Sequence, residues 1–242
     1  MALIQLDHVS KFYAHGKTSA KGLDDVSLSF DKGDFVAITG ESGSGKTTLL
    51  NVITLMDNYD EGDILFEGKS TADFSTDELL AFRRDYVSFV FQEYNIIPTL
   101  NAVENIVIAL INKGIDRKEA KKKAEKSLVE CGLKSRMHEK VGKLSGGERQ
   151  RVVIARALAL ESPVIAFDEP TGNLDSATGQ EIIALIDKIK EGRLILFVTH
   201  DYDSIASLAN RHIVLENGRV HSDARTKAPY SSKAEPTKIA AA

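Results

Sequence analysis

The sequence predicts an α/β fold built on a largely parallel sheet, and three observations carry that expectation. Short, nearly continuous apolar runs at residues 35–39, 87–91, 164–167, 194–198 and 212–215 have the length of strands buried on both faces. Helical segments lie between them, and repeated strand–helix alternation puts helices on both sides of such a sheet. The 242-residue chain is 43% hydrophobic and 27% charged, enough apolar residue to build a sizeable core.

The elements follow in order. Residues 3–9 and 26–30 alternate apolar and polar side chains between turn-forming neighbours and read as strands. The run 35–39 meets glycines at once, and residues 47–55 then read as a helix. Ser75 and Glu78 have capping-box spacing and open a short helix to about Arg84. Residues 101–112 read as another helix. Asp116 with Glu119 opens a third over 117–130, which Gly132 stops. Lys121, Lys122 and Lys123 are either a solvated helix face or a binding patch, and composition favours the face. After Val220 the chain turns polar and small, so residues 222–242 are expected to form a flexible tail behind a domain over 1–221.

The 31 Lys and Arg against 35 Asp and Glu leave a net charge of −4, so no global positive field points to nucleic acid. The single cysteine, Cys131, excludes an intramolecular disulfide and fits a reducing compartment. No apolar run approaches the ~20 residues that span a bilayer. The opening residues lack a basic n-region, so no signal peptide is expected. Membrane association is expected to come through a partner.

Gly40-Glu41-Ser42-Gly43-Ser44-Gly45-Lys46-Thr47 satisfies the pattern G-x-x-x-x-G-K-S/T. Glycines let the backbone curl so that successive N–H groups point at the α- and β-phosphates of a nucleotide. Lys46 supplies charge to the β- and γ-phosphates, and the Thr47 hydroxyl is a Mg²⁺ ligand. The helix that follows turns the positive end of its dipole on the same phosphates. Val164-Ile165-Ala166-Phe167-Asp168-Glu169 pairs with this loop. A buried strand delivers Asp168 at its end to hold the Mg²⁺ shell, and Glu169 orients or deprotonates an attacking water. Leu144-Ser145-Gly146-Gly147-Glu148-Arg149-Gln150 reads two ways. Ser145 caps a helix in either case, but Gly146 and Gly147 also expose N–H groups at its start as a second anion site.

That last stretch resembles the signature of ATP-binding cassette (ABC) ATPases, and the likeness runs in order over about residues 3–221. Tyr13 resembles the aromatic that stacks on adenine, and Gln92 the glutamine that links Mg²⁺ and the attacking water to the transmembrane partner. Gly172-Asn173-Leu174-Asp175 resembles the loop through which two cassettes contact each other's sites, and His200 the switch histidine at the γ-phosphate. The resemblance implies a P-loop NTPase (RecA-like) core with a largely parallel sheet, an N-terminal antiparallel β subdomain and an inserted α-helical subdomain over about residues 93–150. It implies ATP contacts from Tyr13, Gly40, Ser42, Gly43, Ser44, Gly45, Lys46, Thr47 and Thr48. Ser145, Gly146, Gly147 and Asp175 would act on the facing nucleotide of a head-to-tail homodimer that ATP closes. The implied catalytic set is Glu169, His200, Gln92 and Lys46, and the implied Mg²⁺ ligands are Thr47, Gln92 and Asp168.

Residues 92–105 and 171–175 are similar to cassettes of lipoprotein-releasing, macrolide-efflux, cell-division and antimicrobial-peptide-resistance systems. In that group the permease is usually a four-helix membrane protein. The expected function is therefore the ATP-hydrolysing subunit of a transporter, peripheral on the cytoplasmic face of the membrane. It would dock the permease through residues 93–111, where Tyr94, Ile96, Ile97 and Leu100 offer apolar contacts. The alternative is a regulatory cassette signalling to a cell-wall or sensor system. A soluble cassette acting on DNA or ribosomes fits less well, because the chain shows neither a coiled-coil insertion nor a second cassette. Two departures stand out: residues 54–62 replace the usual glycine pair and Pro-Thr-Ser-Gly turn, and Val141-Gly142 stands where a proline often precedes the signature. Neither removes a phosphate, metal or water ligand.

Overall fold

Two sheets share the hydrophobic interior of the computed structural model, which describes residues 2–15 and 18–226. Strands β1 (Ile4–His15), β2 (Thr18–Phe30), β4 (Glu61–Phe66) and β5 (Lys69–Ser70) form an antiparallel sheet in the order β2-β1-β4-β5. Strands β3 (Phe35–Thr39), β6 (Val87–Val90), β7 (Val164–Asp168), β8 (Leu194–Val198) and β9 (Arg211–Glu216) run parallel in a second sheet. Its order is β10-β9-β3-β8-β7-β6, with β10 (Arg219–Arg225) antiparallel at the edge.

Six helices flank these strands among the described residues: α1 (Lys46–Ile53), α2 (Thr76–Asp85), α3 (Ala102–Asn112), α4 (Arg117–Glu130), α5 (Gly146–Leu160) and α6 (Ser176–Ile189). Successive strand side chains point to opposite faces, so the central strands feed two cores. Phe35, Ala37, Ile165, Phe167, Ile195 and Phe197 cluster with buried residues of α3, α4, α5 and α6. Val36, Ile38, Val164, Ala166, Leu194 and Leu196 cluster with α1 and the antiparallel sheet. Helix starts follow local side chains: α2, α3 and α5 open on capping boxes at Ser75/Glu78, Asn101/Glu104 and Ser145/Glu148, and Asp116 caps α4.

The structure departs from the sequence reading in three places. β4 falls where the sequence reading named no strand; it forms because β1 pairs it in register, Ile4 against Phe66 and Leu6 against Ile64. Helix α5 runs unbroken through residue 150 to Leu160 and packs in the same core as the sheet, so the expected subdomain boundary at 150 is no break. The domain also continues past 221, and residues 222–225 belong to β10 rather than to a tail. Asn217 and Gly218 both take left-handed backbone (φ 50° and 79°) and turn the β9–β10 hairpin. Arg211 then pairs with Asp223 at 2.6 Å, and Arg225 pairs with the wholly buried Asp34. The rest of the expected tail, 227–242, lies outside the described residues. No described helix is long and apolar enough to cross a membrane.

Candidate active site

β3 ends at Thr39 and hands the chain to a loop that α1 closes. Gly40 and Gly45 hold φ of 146° and 101°; a Cβ at Gly40 would lie 2.2 Å from the Leu215 carbonyl, and one at Gly45 2.4 Å from the Gly22 carbonyl. The loop therefore needs glycine at both positions. The Ser44 hydroxyl is buried with no hydrogen-bond partner among the described residues. The buried Lys46 ammonium donates to the carbonyls of Gly40 (3.0 Å) and Glu41 (2.8 Å). A cleft of about 530 Å³ opens over the loop, lined by Tyr13, Gly22, Gly40, Ser42, Gly43, Gly45, Lys46, Thr47, Thr48, Glu169 and His200.

The Thr47 hydroxyl donates to Asp168 Oδ1 at 3.3 Å. Burial pushes the Asp168 carboxyl above its ordinary range, while the Thr47 hydroxyl pulls it back. Glu169 sits in left-handed backbone (φ 45°), and its N–H donates to the Val198 carbonyl of β8 at 3.1 Å. That unfavourable conformation for a side-chain-bearing residue sets its carboxylate Oε2 3.2 Å from His200 Nδ1. Gln92 approaches from the end of β6: a Cβ on Gly172 would lie 3.4 Å from both the Gln92 amide nitrogen and Glu169 Oε2. Gln92 and Asp168 also line a neighbouring cleft of about 400 Å³. Thr47, Asp168 and Gln92 are neutral or singly charged oxygen donors, the ligand type that suits Mg²⁺. Among the described residues no group of three or more His, Cys, Asp or Glu side chains could hold a metal ion. Such a donor-poor set fits an ion that shares its shell with phosphate oxygens and water.

Ser145, Gly146, Gly147 and Asp175 do not line the cleft over the loop. The Ser145 hydroxyl accepts from the Glu148 N–H at 3.3 Å, and the Glu148 carboxylate accepts from the Ser145 N–H at 2.9 Å. The bond from the Ser145 N–H, followed by the Ser145 side chain and the Arg136 charge, holds the Glu148 carboxyl below its ordinary range. Gly147 presses on α6: a Cβ there would lie 2.4 Å from Thr178 Cγ2. Gly146 faces the Tyr94 hydroxyl and Leu174, and the Arg149 guanidinium lies 5.2 Å from the centre of the Tyr94 ring. Asp175 has a local task that the sequence reading did not assign. It caps α6, accepting from the Thr178 N–H (3.0 Å) and hydroxyl (2.7 Å), bonds that hold its carboxyl below its ordinary range.

Two further side chains support the site without a signal in the local sequence. Tyr94 and Asn95 are consecutive left-handed residues (φ 63° and 48°), and Arg156 of α5 donates to the Asn95 carbonyl at 2.8 Å. Asp57 accepts from the Tyr13 hydroxyl at 2.8 Å.

A phosphate-type loop, an Asp-Glu strand end and a capped glycine pair on a separate helix define a nucleotide-binding cassette. Residues 23–172 match the ABC transporter family, to which the chain belongs. It is 39% identical over 233 residues to the macrolide export ATP-binding/permease protein MacB of Hyphomonas neptunium, covering 96% of this chain and 36% of that one. For MacB of Neisseria meningitidis the identity is 42% over 224 residues, covering 92% and 35%. The chain thus spans about a third of the length of those relatives. It spans 98% of the ABC transporter ATP-binding protein MJ0796 of Methanocaldococcus jannaschii, at 41% identity over 231 residues and 93% of this chain. A solved dimeric structure of the MJ0796 cassette, a post-hydrolysis state bound to ADP and Pi, superposes with a TM-score of 0.85 at 39% identity over 93% of this chain and 99% of that one.

The Gly147–Thr178 contact leaves no room for a side chain. Gly147→Val is expected to lower stability by about 1–3 kcal/mol, the cost of overpacking. Adding Thr178→Ala removes the opposing methyl and should recover part of the loss. Urea unfolding of the single and double variants measures both effects, and a Gly147→Val protein as stable as wild type would mean that α5 has slack against α6.

Proposed function

We propose that the chain is the ATP-hydrolysing subunit of an ABC transporter, coupling Mg²⁺-dependent conversion of ATP to ADP and phosphate to a membrane permease. The observation that carries this reading is the convergence of Lys46, Glu169 and His200 on one cleft, with the Thr47–Asp168 pair beside them. Loop N–H groups and the positive end of α1 hold the phosphates. Lys46 exchanges its two loop carbonyls for phosphate oxygens and stabilises the charge that builds on them. Mg²⁺, when bound through Thr47, Asp168 and Gln92, neutralises charge on the β- and γ-phosphates. Glu169 orients a water in line with the γ-phosphorus and takes its proton. The water oxygen bonds to phosphorus as the bond to the bridging oxygen breaks, and ADP leaves with that electron pair. His200, tethered to Glu169 through Nδ1, contacts the γ-phosphate with its other ring nitrogen.

The cassette works as a head-to-tail homodimer in this reading. Ser145, Gly146 and Gly147 lie at the N-terminus of α5, outside their own chain's cleft, where the helix dipole favours an anion. A second copy brings its γ-phosphate to that end, and Asp175 lies at the same interface. The MJ0796 cassette structures are dimeric, which supports a two-chain assembly. The permease docks on the exposed Ile97, Ile108 and Ile111, with the cassette on the cytoplasmic face of the membrane and no nucleic-acid partner. Of the other apolar side chains in this segment, Tyr94 and Ile96 pack against the core instead.

Glu169→Gln is expected to keep ATP binding and to lower phosphate release on the order of 10²–10⁴-fold; turnover at the wild-type rate would remove Glu169 from its role. The same variant should be a monomer without nucleotide or with ADP, and a dimer with ATP, by light scattering. Adding Ser145→Arg should abolish the dimer while ATP binding to the single chain persists. A dimer that survives Ser145→Arg would exclude the head-to-tail arrangement. For the docking face, Ile97→Lys with Ile108→Lys should abolish co-purification with the permease at unchanged basal ATPase rate; retained co-purification would place the contact elsewhere.

A further inference from the structure

The loop after α1 is tied to the strand that carries Tyr13. Asp60 Oδ2 accepts from the Phe12 N–H at 2.6 Å, and the Asp60 N–H donates to the Ser10 carbonyl at 2.9 Å. The buried Lys11 ammonium lies between two carboxylates, 3.6 Å from Asp57 Oδ1 and 3.7 Å from Asp60 Oδ1. It also sits 5.5 Å from the centre of the Tyr13 ring. The Tyr13 hydroxyl donates to Asp57 Oδ2 at 2.8 Å and lies 3.5 Å from the Thr48 hydroxyl. Burial holds the phenol above its ordinary range, so it remains the donor. On the other side the ring edge abuts Gly22, where a Cβ would lie 2.6 Å from Tyr13 Cε2. The ring is thus fixed along its edge and at its hydroxyl, while it lines the cleft over the phosphate loop.

We infer that Asp57 is a positioning residue for the nucleotide base: through its bond to the Tyr13 hydroxyl it holds the ring in the orientation on which adenine stacks. The inference rests on reading the cleft as an ATP site. A tyrosine fixed before binding spares the ligand the cost of ordering it, which for a side chain of this kind amounts to a several-fold difference in affinity. Lys11 restrains the Asp57 carboxylate from its other oxygen, and Asp60 restrains Lys11. The consequence is selective: Asp57 serves the base and leaves the phosphates to Lys46 and the loop.

Calorimetric titration of the full chain with Mg²⁺-ATP and with Mg²⁺-tripolyphosphate separates the two ends of the ligand. Asp57→Ala and Tyr13→Phe are each expected to weaken ATP by about threefold to tenfold, to leave tripolyphosphate within about twofold of wild type, and to raise KM for ATP at nearly constant kcat. The double variant should bind ATP no more weakly than either single one, because both remove the same bond. Unchanged ATP affinity, equal weakening of both ligands, or full additivity in the double variant would overturn the inference. Tyr13→Phe keeps the ring, so it decides the outcome alone should Asp57→Ala, which strips Lys11 of one carboxylate, fail to fold. A wild-type chain that binds neither ligand would overturn this inference together with the ATP-site reading. Wild-type binding with unaffected variants would overturn this inference only.

Discussion

The central strands of the six-stranded sheet are buried on both faces, and that constraint fixes where chemistry can occur. All five residues of β8 are buried, and β3 and β7 admit solvent only at their last residues, Thr39 and Asp168. A charged side chain within these strands would face one of two apolar cores with no partner. Polar residues are therefore confined to the carboxyl ends, where parallel strands leave their loops on the same edge. Gly40 and Glu169 follow β3 and β7 directly, Asp168 is the last residue of β7 and His200 stands two residues past the end of β8, so three separate stretches of sequence meet at one edge of the sheet.

The same constraint explains what could be read in advance. The phosphate loop, the Asp168-Glu169 strand end and the capping boxes at Ser75, Asn101 and Ser145 are local: the residues that interact stand within a few positions of each other. The contacts of Asp57 with Tyr13 and of Arg156 with Asn95 join positions 44 and 61 residues apart, and no local pattern marks them. Strand β4 was hidden because Gly62 and two acidic neighbours carry turn chemistry, and only pairing with β1 overrides it. Strand β10 is a different case. Asn217-Gly218 is a strong hairpin signal, but the polar side chains that follow face outward on an edge strand and imitate a tail. Asp175 carried a signal of its own, since an Asp two residues into a turn before a helix is a common cap.

Asp175 and Ser145 each have a structural task within the single chain. Each caps its helix with an acceptor oxygen, a task local to one chain. Ser145 Oγ accepts from the Glu148 N–H at the start of α5, whose dipole is positive at that end. The reciprocal bonds with Glu148 hold the start of α5 in one conformation. The cost of this rigidity falls on the neighbours: Gly147 must be glycine because α5 starts against Thr178, the residue that Asp175 caps.

That packing joins three segments that sit in different parts of the sequence. The Asn173 amide donates to the Gln92 carbonyl at 3.3 Å, Leu174 and Tyr94 both lie against Gly146, and Arg156 holds the Asn95 carbonyl. The segment after Gln92, the loop before α6 and the start of α5 are thus one packed body with glycine at its closest contacts. Close-packed interiors transmit displacement because they have few voids to absorb it. Gln92 is thereby tied to Asn173, and Tyr94 to the start of α5. Tyr94 and Asn95, consecutive left-handed residues, are a strained point in this packing. Helix α5 therefore starts beside Tyr94 and also holds, through Arg156, the Asn95 carbonyl in the segment that leads from Gln92 to the exposed Ile97.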